Sequence, residues 1–219
     1  MSNNSTDLNK LKHLLYSCYT IETCYHSVKD EWTEENKTLG QDTLTSIIIK
    51  DYFGGLIKRC YIEEKDYYHF FNIVGDKIVD FTKEQFKDKY FIPYDKAQTK
   101  SRAKLLDIVD LKNRYEKVCE LIKIKSNKLN NLLKEMDNEN INHLLFLNED
   151  CKYLIISNDY ITIEQLNSSP NLTEQDKKYL IENAKRISYL ILDINSKTES
   201  YITELTNILN PYKVVKIKS

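Results

Sequence analysis

The stretch LGQDTLTSIIIKDYFGG, residues 39–55, decides how the first part of this chain folds. Its apolar side chains recur at spacings of three and four, which predicts an amphipathic helix. The positions with this spacing are Leu44, Ile47, Ile48 and Tyr52. Gly54 and Gly55 end the helix, because glycine past the last turn is a usual stop signal. Asp42 therefore lies at the helix N-terminus, where unpaired backbone N–H groups favour a cap or an anionic group.

The chain after this helix predicts three antiparallel strands. Residues 56–62 form the first, and residues 66–82 form a β-hairpin with the turn Gly75-Asp76. With a two-residue turn, side-chain alternation places His69 and Asp80 on the same face as diagonal neighbours. Asp80 can then accept a hydrogen bond from the imidazole, which is the orienting half of a catalytic triad.

The order of these parts along the chain is that of papain-like and transglutaminase-like thiol enzymes, which have a helix N-terminus, then a histidine strand, then an acid. The sequence also resembles the YunG family, whose members typically read W-x-x-E-N-P-x-x-G-Q-C, an apolar helix ending D-x-x-G-G, H-Y-W-N and D-x-T-x-E-Q-F. The matching stretches are WTEEN (32–36), GQ (40–41), DYFGG (51–55), HFFN (69–72), DFTKEQF (80–86) and RYEKVCELI (114–122). This resemblance covers about residues 8–125.

The chain departs from that pattern at one informative position. Asp42 stands where the family has cysteine, and Lys37 stands in place of its proline. The resemblance implies a degenerate site formed by Asp42, His69 and Asp80, with Gln41 as a residue that assists an oxyanion. A carboxylate is a poor nucleophile toward an amide and cannot form a thioester.

Four interpretations of Asp42 remain open from the sequence. The aspartate is a helix cap in a catalytically inactive relative, worth about 1 kcal/mol over alanine, or it binds a divalent metal together with His69 and Asp80. Alternatively, the nucleophile is recruited from Cys18, Cys24 or Cys60, or Asp42 itself acts as a base or acyl acceptor. His69 also has a simpler interpretation as a buried strand aromatic, and His13, His26 and His143 are predicted to be ordinary surface or interface residues.

Composition excludes several classes of function. The net charge of -1 gives no general reason to expect nucleic-acid binding. No apolar run has the length of a membrane span, and MSNNSTDLNK lacks a signal-peptide core, so we expect a cytoplasmic protein without membrane partners. The five cysteines Cys18, Cys24, Cys60, Cys119 and Cys151 form no C-x-x-C pair, which indicates reduced, mostly buried thiols and no structural zinc.

The composition changes near residue 125, which predicts two domains. Residues 1–125 form a YunG-like α+β domain with a papain-like or transglutaminase-like core, in which the central helix packs on an antiparallel sheet. Residues 126–219 are predicted to be mainly helical with one or two strands. The predicted elements of this part are a helix from Thr173 to about Ile194, a helix over 197–209, and strands at 151–157 and 212–218.

Three functional hypotheses follow. The first is a degenerate cysteine-hydrolase-like protein that binds a protein or small-molecule ligand in its former active-site cleft, rimmed by Gln41, Asp42, His69 and Asp80. The second is an active hydrolase or transferase on amide or ester bonds, which uses Asp42 or a recruited cysteine. The third is an interaction module that acts through residues 126–219. None of the three requires a cofactor.

Overall fold

The secondary structure of this chain is mixed α+β, as the sequence predicted. The computed structural model describes residues 3–87, 89–148 and 152–217, so Cys151 lies outside the described residues. In these described ranges, no helix is both long enough and apolar enough to cross a membrane.

The chain divides into two units. The first unit is Cys18–Ile122, and the second unit combines Met1–Ser17 with Lys123–Ser219. The elements up to residue 138 are α1 (Asn3–Cys18), α2 (Asp42–Phe53), β1 (Leu56–Ile62), β2 (Tyr67–Val74), β3 (Lys77–Val79), β4 (Gln98–Lys100), α3 (Arg102–Leu106) and α4 (Val109–Asn138).

The first unit is built around a four-stranded antiparallel sheet with the order β3-β2-β1-β4. Helix α2 packs on β1 and β2 and buries its apolar side chains Leu44, Ile47, Ile48 and Ile49. The predicted arrangement of a central helix on an antiparallel sheet is therefore present. It brings the start of α2 to the face of the sheet.

The hairpin has the register that the sequence predicted. Asn72 pairs with Val79 and Val74 pairs with Lys77, which leaves Gly75 and Asp76 as the two turn residues. Gly75 has a φ of 60°, in the left-handed region that glycine adopts at little cost. Because the register is fixed by this turn, the face on which His69 lies is fixed as well.

Gly55 allows the close approach of the end of α2 to the sheet. Its φ is 78°, and a Cβ at this position would lie 2.1 Å from the carbonyl oxygen of Ile73. Leu56 then starts β1 directly opposite Ile73. Any side chain at Gly55 would displace the backbone of β2, and this strand carries His69.

The second unit contains more β-structure than predicted. Its elements after α4 are β5 (His143–Phe146), β6 (Tyr153–Ser157), α5 (Ile163–Ser168), α6 (Glu174–Glu182), β7 (Ser188–Leu192), α7 (Glu199–Leu209) and β8 (Lys213–Ile217). The four strands form one sheet in the order β5-β7-β6-β8, with β6 parallel to β7 and β8, and β5 antiparallel to β7. Among the described residues of 126–219, helices still outnumber strands in residues, but the prediction of only one or two strands is wrong, because four are present.

The misassigned segment is the predicted helix from Thr173 to about Ile194. A capping box of Thr173 and Asp176 starts α6 at the predicted place, but the helix ends at Glu182. Strand β7 follows, with buried side chains alternating at Ser188, Leu190 and Leu192. A short apolar run fits a helix or a strand equally well by periodicity, and here pairing with two neighbouring strands decides for the strand.

Met1–Ser17 groups with the second unit, whereas the sequence predicts that this segment belongs to the first domain. The reason is visible at His13 of α1, which is buried rather than on the surface. Its Nε2 lies 2.7 Å from the carbonyl oxygen of Asn148 and 3.0 Å from Oγ of Ser188. Periodicity shows that a helix has a face to bury, but not which sheet covers that face.

Candidate functional site

The first turn of α2 holds the Asp42 carboxylate in a dense set of hydrogen bonds. Gln41 is the N-cap, and Asp42 is the first helical residue. Oδ1 accepts from the backbone N–H of Thr43 at 2.9 Å and from the Tyr67 hydroxyl at 3.2 Å. Oδ2 accepts from the backbone N–H of Phe70 at 3.0 Å. Both carboxylate oxygens of Asp42 therefore accept hydrogen bonds from protein groups.

His69 lies on β2 between two carboxylates. Its Nδ1 is 3.2 Å from Oδ2 of Asp42, and its Nε2 is 2.6 Å from Oδ2 of Asp80. The ring also contacts Phe86 edge-on, with 5.0 Å between centroids. The three predicted residues therefore meet, with the imidazole between the two carboxylates.

Asp80 directly follows β3 and is fixed from several sides. Its Oδ1 accepts from the backbone N–H of Thr82 at 3.0 Å and from the Thr82 hydroxyl at 3.3 Å. Its Oδ2 accepts from the Tyr94 hydroxyl at 2.8 Å, in addition to His69. These bonds hold the Asp80 carboxylate in the position from which it contacts the imidazole.

The predicted site residues are buried and do not rim an open cleft. His69 and Gln41 are 0% exposed, Asp42 is 2% exposed, and the Asp80 side chain is 3% exposed. The side-chain amide of Gln41 donates to the carbonyl oxygen of Thr20 at 3.2 Å. Gln41 is therefore held by the chain before the helix, and no described bond joins it to the other three residues.

The pKa values follow from burial and charge. Burial disfavours the charged imidazolium, but the charge of Asp80 and the hydrogen bonds of both carboxylates outweigh it and raise the pKa of His69 to about 9. Burial opposes ionisation of Asp80, yet the imidazolium and the Tyr94 hydroxyl lower the pKa of this carboxyl. Burial and then the charge of Asp42 raise the pKa of Tyr67 well above its ordinary value. His69 is an imidazolium at neutral pH.

The raised pKa of His69 predicts a pH dependence of stability. A group with a folded pKa of about 9 against an ordinary 6.5 stabilises the fold fully below 6.5, and this contribution is lost as the pH rises through 9. The contribution is on the order of 3 kcal/mol. The free energy of unfolding in urea should therefore fall between about pH 7 and 9, and the His69→Gln variant should show a much flatter profile. Parallel curves for the two proteins would contradict the assignment.

Three residues of the site were not assigned a role from the sequence. Tyr67, two positions before His69 on the same strand face, bonds to Asp42, and Tyr94 bonds to Asp80. The side-chain amide of Gln85 lies 3.3 Å from Nδ1 of His69. The period of two along β2 pointed to Tyr67, and the DFTKEQF stretch (80–86) contained Gln85. No pattern in the sequence around Tyr94 indicated that it contacts the site.

The geometry does not favour the metal interpretation. Oδ2 of Asp42 and Oδ2 of Asp80 lie at opposite nitrogens of the His69 ring, so the three groups do not converge on one point. Among the described residues, no group of three or more His, Cys, Asp or Glu side chains is placed to hold a metal ion. The imidazole binds the two carboxylates in place of an ion.

A pocket of about 610 Å³ in the first unit adjoins the site. We call it the aromatic pocket, and the side chains that characterise it are Tyr25, His26, Arg59, Tyr67, Tyr68 and Phe70. Thr43, Tyr67 and Phe70 line this pocket and also donate hydrogen bonds to Asp42. The buried network therefore forms part of the pocket wall. Its volume lies in the usual range for small-molecule sites.

Comparison with known proteins identifies related sequences for the first part of the chain. The family model described as YunG protein matches residues 7–126. The "Uncharacterized protein YunG" of Bacillus subtilis (strain 168) is 40% identical over 57 residues, which are 26% of this chain and 48% of that protein. The alignment thus spans about half the length of this relative. No solved structure matches the chain.

Proposed function

Because the chain belongs to the YunG family, we propose that its first unit is a ligand-binding module derived from a papain-like thiol hydrolase and now catalytically inactive. The proposal depends on one observation above all. The carboxylate of Asp42, at the helix position where the family pattern has cysteine, is closed into a hydrogen-bonded pair with His69. A carboxylate whose two oxygens already accept hydrogen bonds therefore occupies the position of the nucleophile.

The chemistry of this arrangement supports loss of catalysis. Both oxygens of Asp42 accept hydrogen bonds, and the side chain has almost no exposure to a substrate. His69 is protonated at neutral pH, and both of its ring N–H groups are directed at carboxylates. An imidazolium in this state has no lone pair with which to act as a general base.

The three candidate cysteines, Cys18, Cys24 and Cys60, are poorly suited to act as a replacement nucleophile. Burial raises the pKa of both the Cys24 and the Cys60 thiol to about 11. The Cys24 thiol donates to the carbonyl oxygen of Leu39, and Cys18 is also buried. Since the thiolate is the reactive form, the Cys24 and Cys60 thiols are unreactive at neutral pH, and burial closes Cys18 to a substrate. An active hydrolase that uses one of them is accordingly the less supported alternative.

The aromatic pocket supports a binding role. It is the concave surface of the first unit that shares Thr43, Tyr67 and Phe70 with the hydrogen bonds around Asp42. In this proposal, it is the remaining part of the former substrate cleft, and the buried network fixes one wall. A rigid wall lowers the ordering cost of binding, because side chains that are already held lose little freedom.

A turnover comparison tests the absence of catalysis. The parent protein and the Asp42→Asn variant are incubated with peptide, ester and isopeptide probes, and product is measured. We expect no turnover above the buffer rate in either protein. A parent rate that falls in Asp42→Asn would establish Asp42 as a working catalytic group and overturn the proposal.

A further inference from the structure

Arg59 is a charged residue of the aromatic pocket whose N–H donors have no partner among the described residues. It lies on β1, and its guanidinium carbon is 4.0 Å from the centroid of the Tyr68 ring. Within the described residues, its guanidinium forms no hydrogen bond or ion pair. The cation–π contact holds the guanidinium over the ring and leaves its N–H donors available.

The other cations of the pocket already have counter-anions. Arg114 donates to Asp110 at 2.9 Å and to the carbonyl oxygen of Thr23. Lys65 lies 4.0 Å from a carboxylate oxygen of Glu31. Arg59 therefore contributes a positive charge that no described side chain of the pocket neutralises at ion-pair distance.

Apolar side chains line the same pocket as Arg59, together with the carboxylates of Glu31, Asp66 and Asp110. Val28 and Leu111 are buried side chains that line the pocket, and Phe70 adds an aromatic surface next to the Asp42 network. A guanidinium with five N–H donors matches the two oxygens of a carboxylate, and such bidentate pairs are among the stronger hydrogen bonds. The apolar walls match a hydrocarbon or aromatic group attached to that carboxylate.

Resting on the binding function proposed above, we propose that the aromatic pocket binds a carboxylate attached to an apolar or aromatic group, with Arg59 as the carboxylate anchor. The same chemistry occurs in a free aromatic acid and in the last residue of a peptide. The pocket is large enough for either, at about 610 Å³.

The test compares a carboxylate with its neutral amide. N-acetyl-L-phenylalanine and N-acetyl-L-phenylalaninamide are titrated into the parent protein by calorimetry, and the tetrapeptide acetyl-Ala-Ala-Ala-Phe is used in its acid and amide forms. We expect each acid to bind at least about 10-fold more tightly than its amide. If the peptide acid binds more tightly than the amino-acid derivative, a peptide end is the better ligand. If the peptide acid and the amino-acid acid bind equally tightly, the pocket recognises the terminal residue alone.

Matched variants locate the anchor. Arg59→Met should abolish the preference for the acid, and Arg59→Lys should retain part of it, because lysine keeps the charge but loses the two-pronged geometry. Lys58→Met is the control, since Lys58 precedes Arg59 on β1, projects to the opposite sheet face and does not line the pocket. This variant should bind as the parent does. Thermal unfolding verifies that all three variants fold.

Two results would overturn the carboxylate assignment. One is equal affinity of acid and amide for the parent, or binding of neither at about 10 mM ligand. The other is a folded Arg59→Met or Arg59→Lys variant that keeps the full preference for the acid. Both results leave the turnover comparison unaffected, so a wrong ligand class is distinguishable from a wrong assignment of the unit as catalytically inactive.

Discussion

Replacing Asp42 by cysteine is expected to create a thiolate that persists at or below about pH 6. Two features of the site favour the anion: the N-terminus of α2 and the imidazolium of His69, whose Nδ1 lies 3.2 Å from the present carboxylate. Burial disfavours the thiolate, and at Cys24 and Cys60 it raises the thiol pKa to about 11. The thiolate is measured by its ultraviolet absorbance as a function of pH, with Asp42→Ser as the blank.

The double variant Asp42→Cys/His69→Asn is the control for this prediction. Without the imidazolium, the thiol should titrate above about 8.5, as an ordinary or buried cysteine does. In the single variant, the ultraviolet absorbance of the thiolate should persist at about pH 6, where the double variant should show none. A single variant that titrates together with Cys24 and Cys60 would show that the arrangement of Asp42 and His69 is not that of a thiol–imidazole pair.

The part of the site that the sequence predicted is the part fixed by local structure. The two-residue turn at Gly75-Asp76 sets the hairpin register, and the register sets the proximity of His69 and Asp80. The approach of Asp42 to His69 has a different origin. It depends on how α2 packs on β1 and β2, and the sequence indicated it through chain order and family resemblance.

The burial of His69 and Asp42 could not be predicted from the sequence around them. Tyr67 and Phe86 cover His69 and Asp42 through contacts between residues far apart in the chain. A helix start and a strand histidine look the same in sequence whether they line an open cleft or a closed network. The apolar run at Ser188–Leu192 could likewise not be identified as a strand from its own residues. Its partners β5 and β6 lie outside the segment.

The second large effect concerns His69 and stability. Replacing His69 by leucine keeps the apolar contact with Phe86 but leaves the carboxylates of Asp42 and Asp80 without their shared cation. Removing one partner from a buried ionic arrangement costs about 3–5 kcal/mol. We expect the free energy of unfolding, measured in urea at neutral pH, to fall by this amount. His26→Leu is the matched control, since His26 is exposed and its replacement should change stability by less than about 0.5 kcal/mol.

Coupling between the residues distinguishes this explanation from loss of packing. In the parent, Asp42→Asn removes a charge that binds His69, so it should destabilise the fold. In the His69→Leu background, the same substitution removes an uncompensated buried charge and should restore stability. Lowering the pH from 7 toward about 4 should likewise stabilise His69→Leu, because protonation neutralises carboxylates that have lost their cation. Additive effects of the two substitutions would mean that Asp42 and His69 do not act as an ion pair.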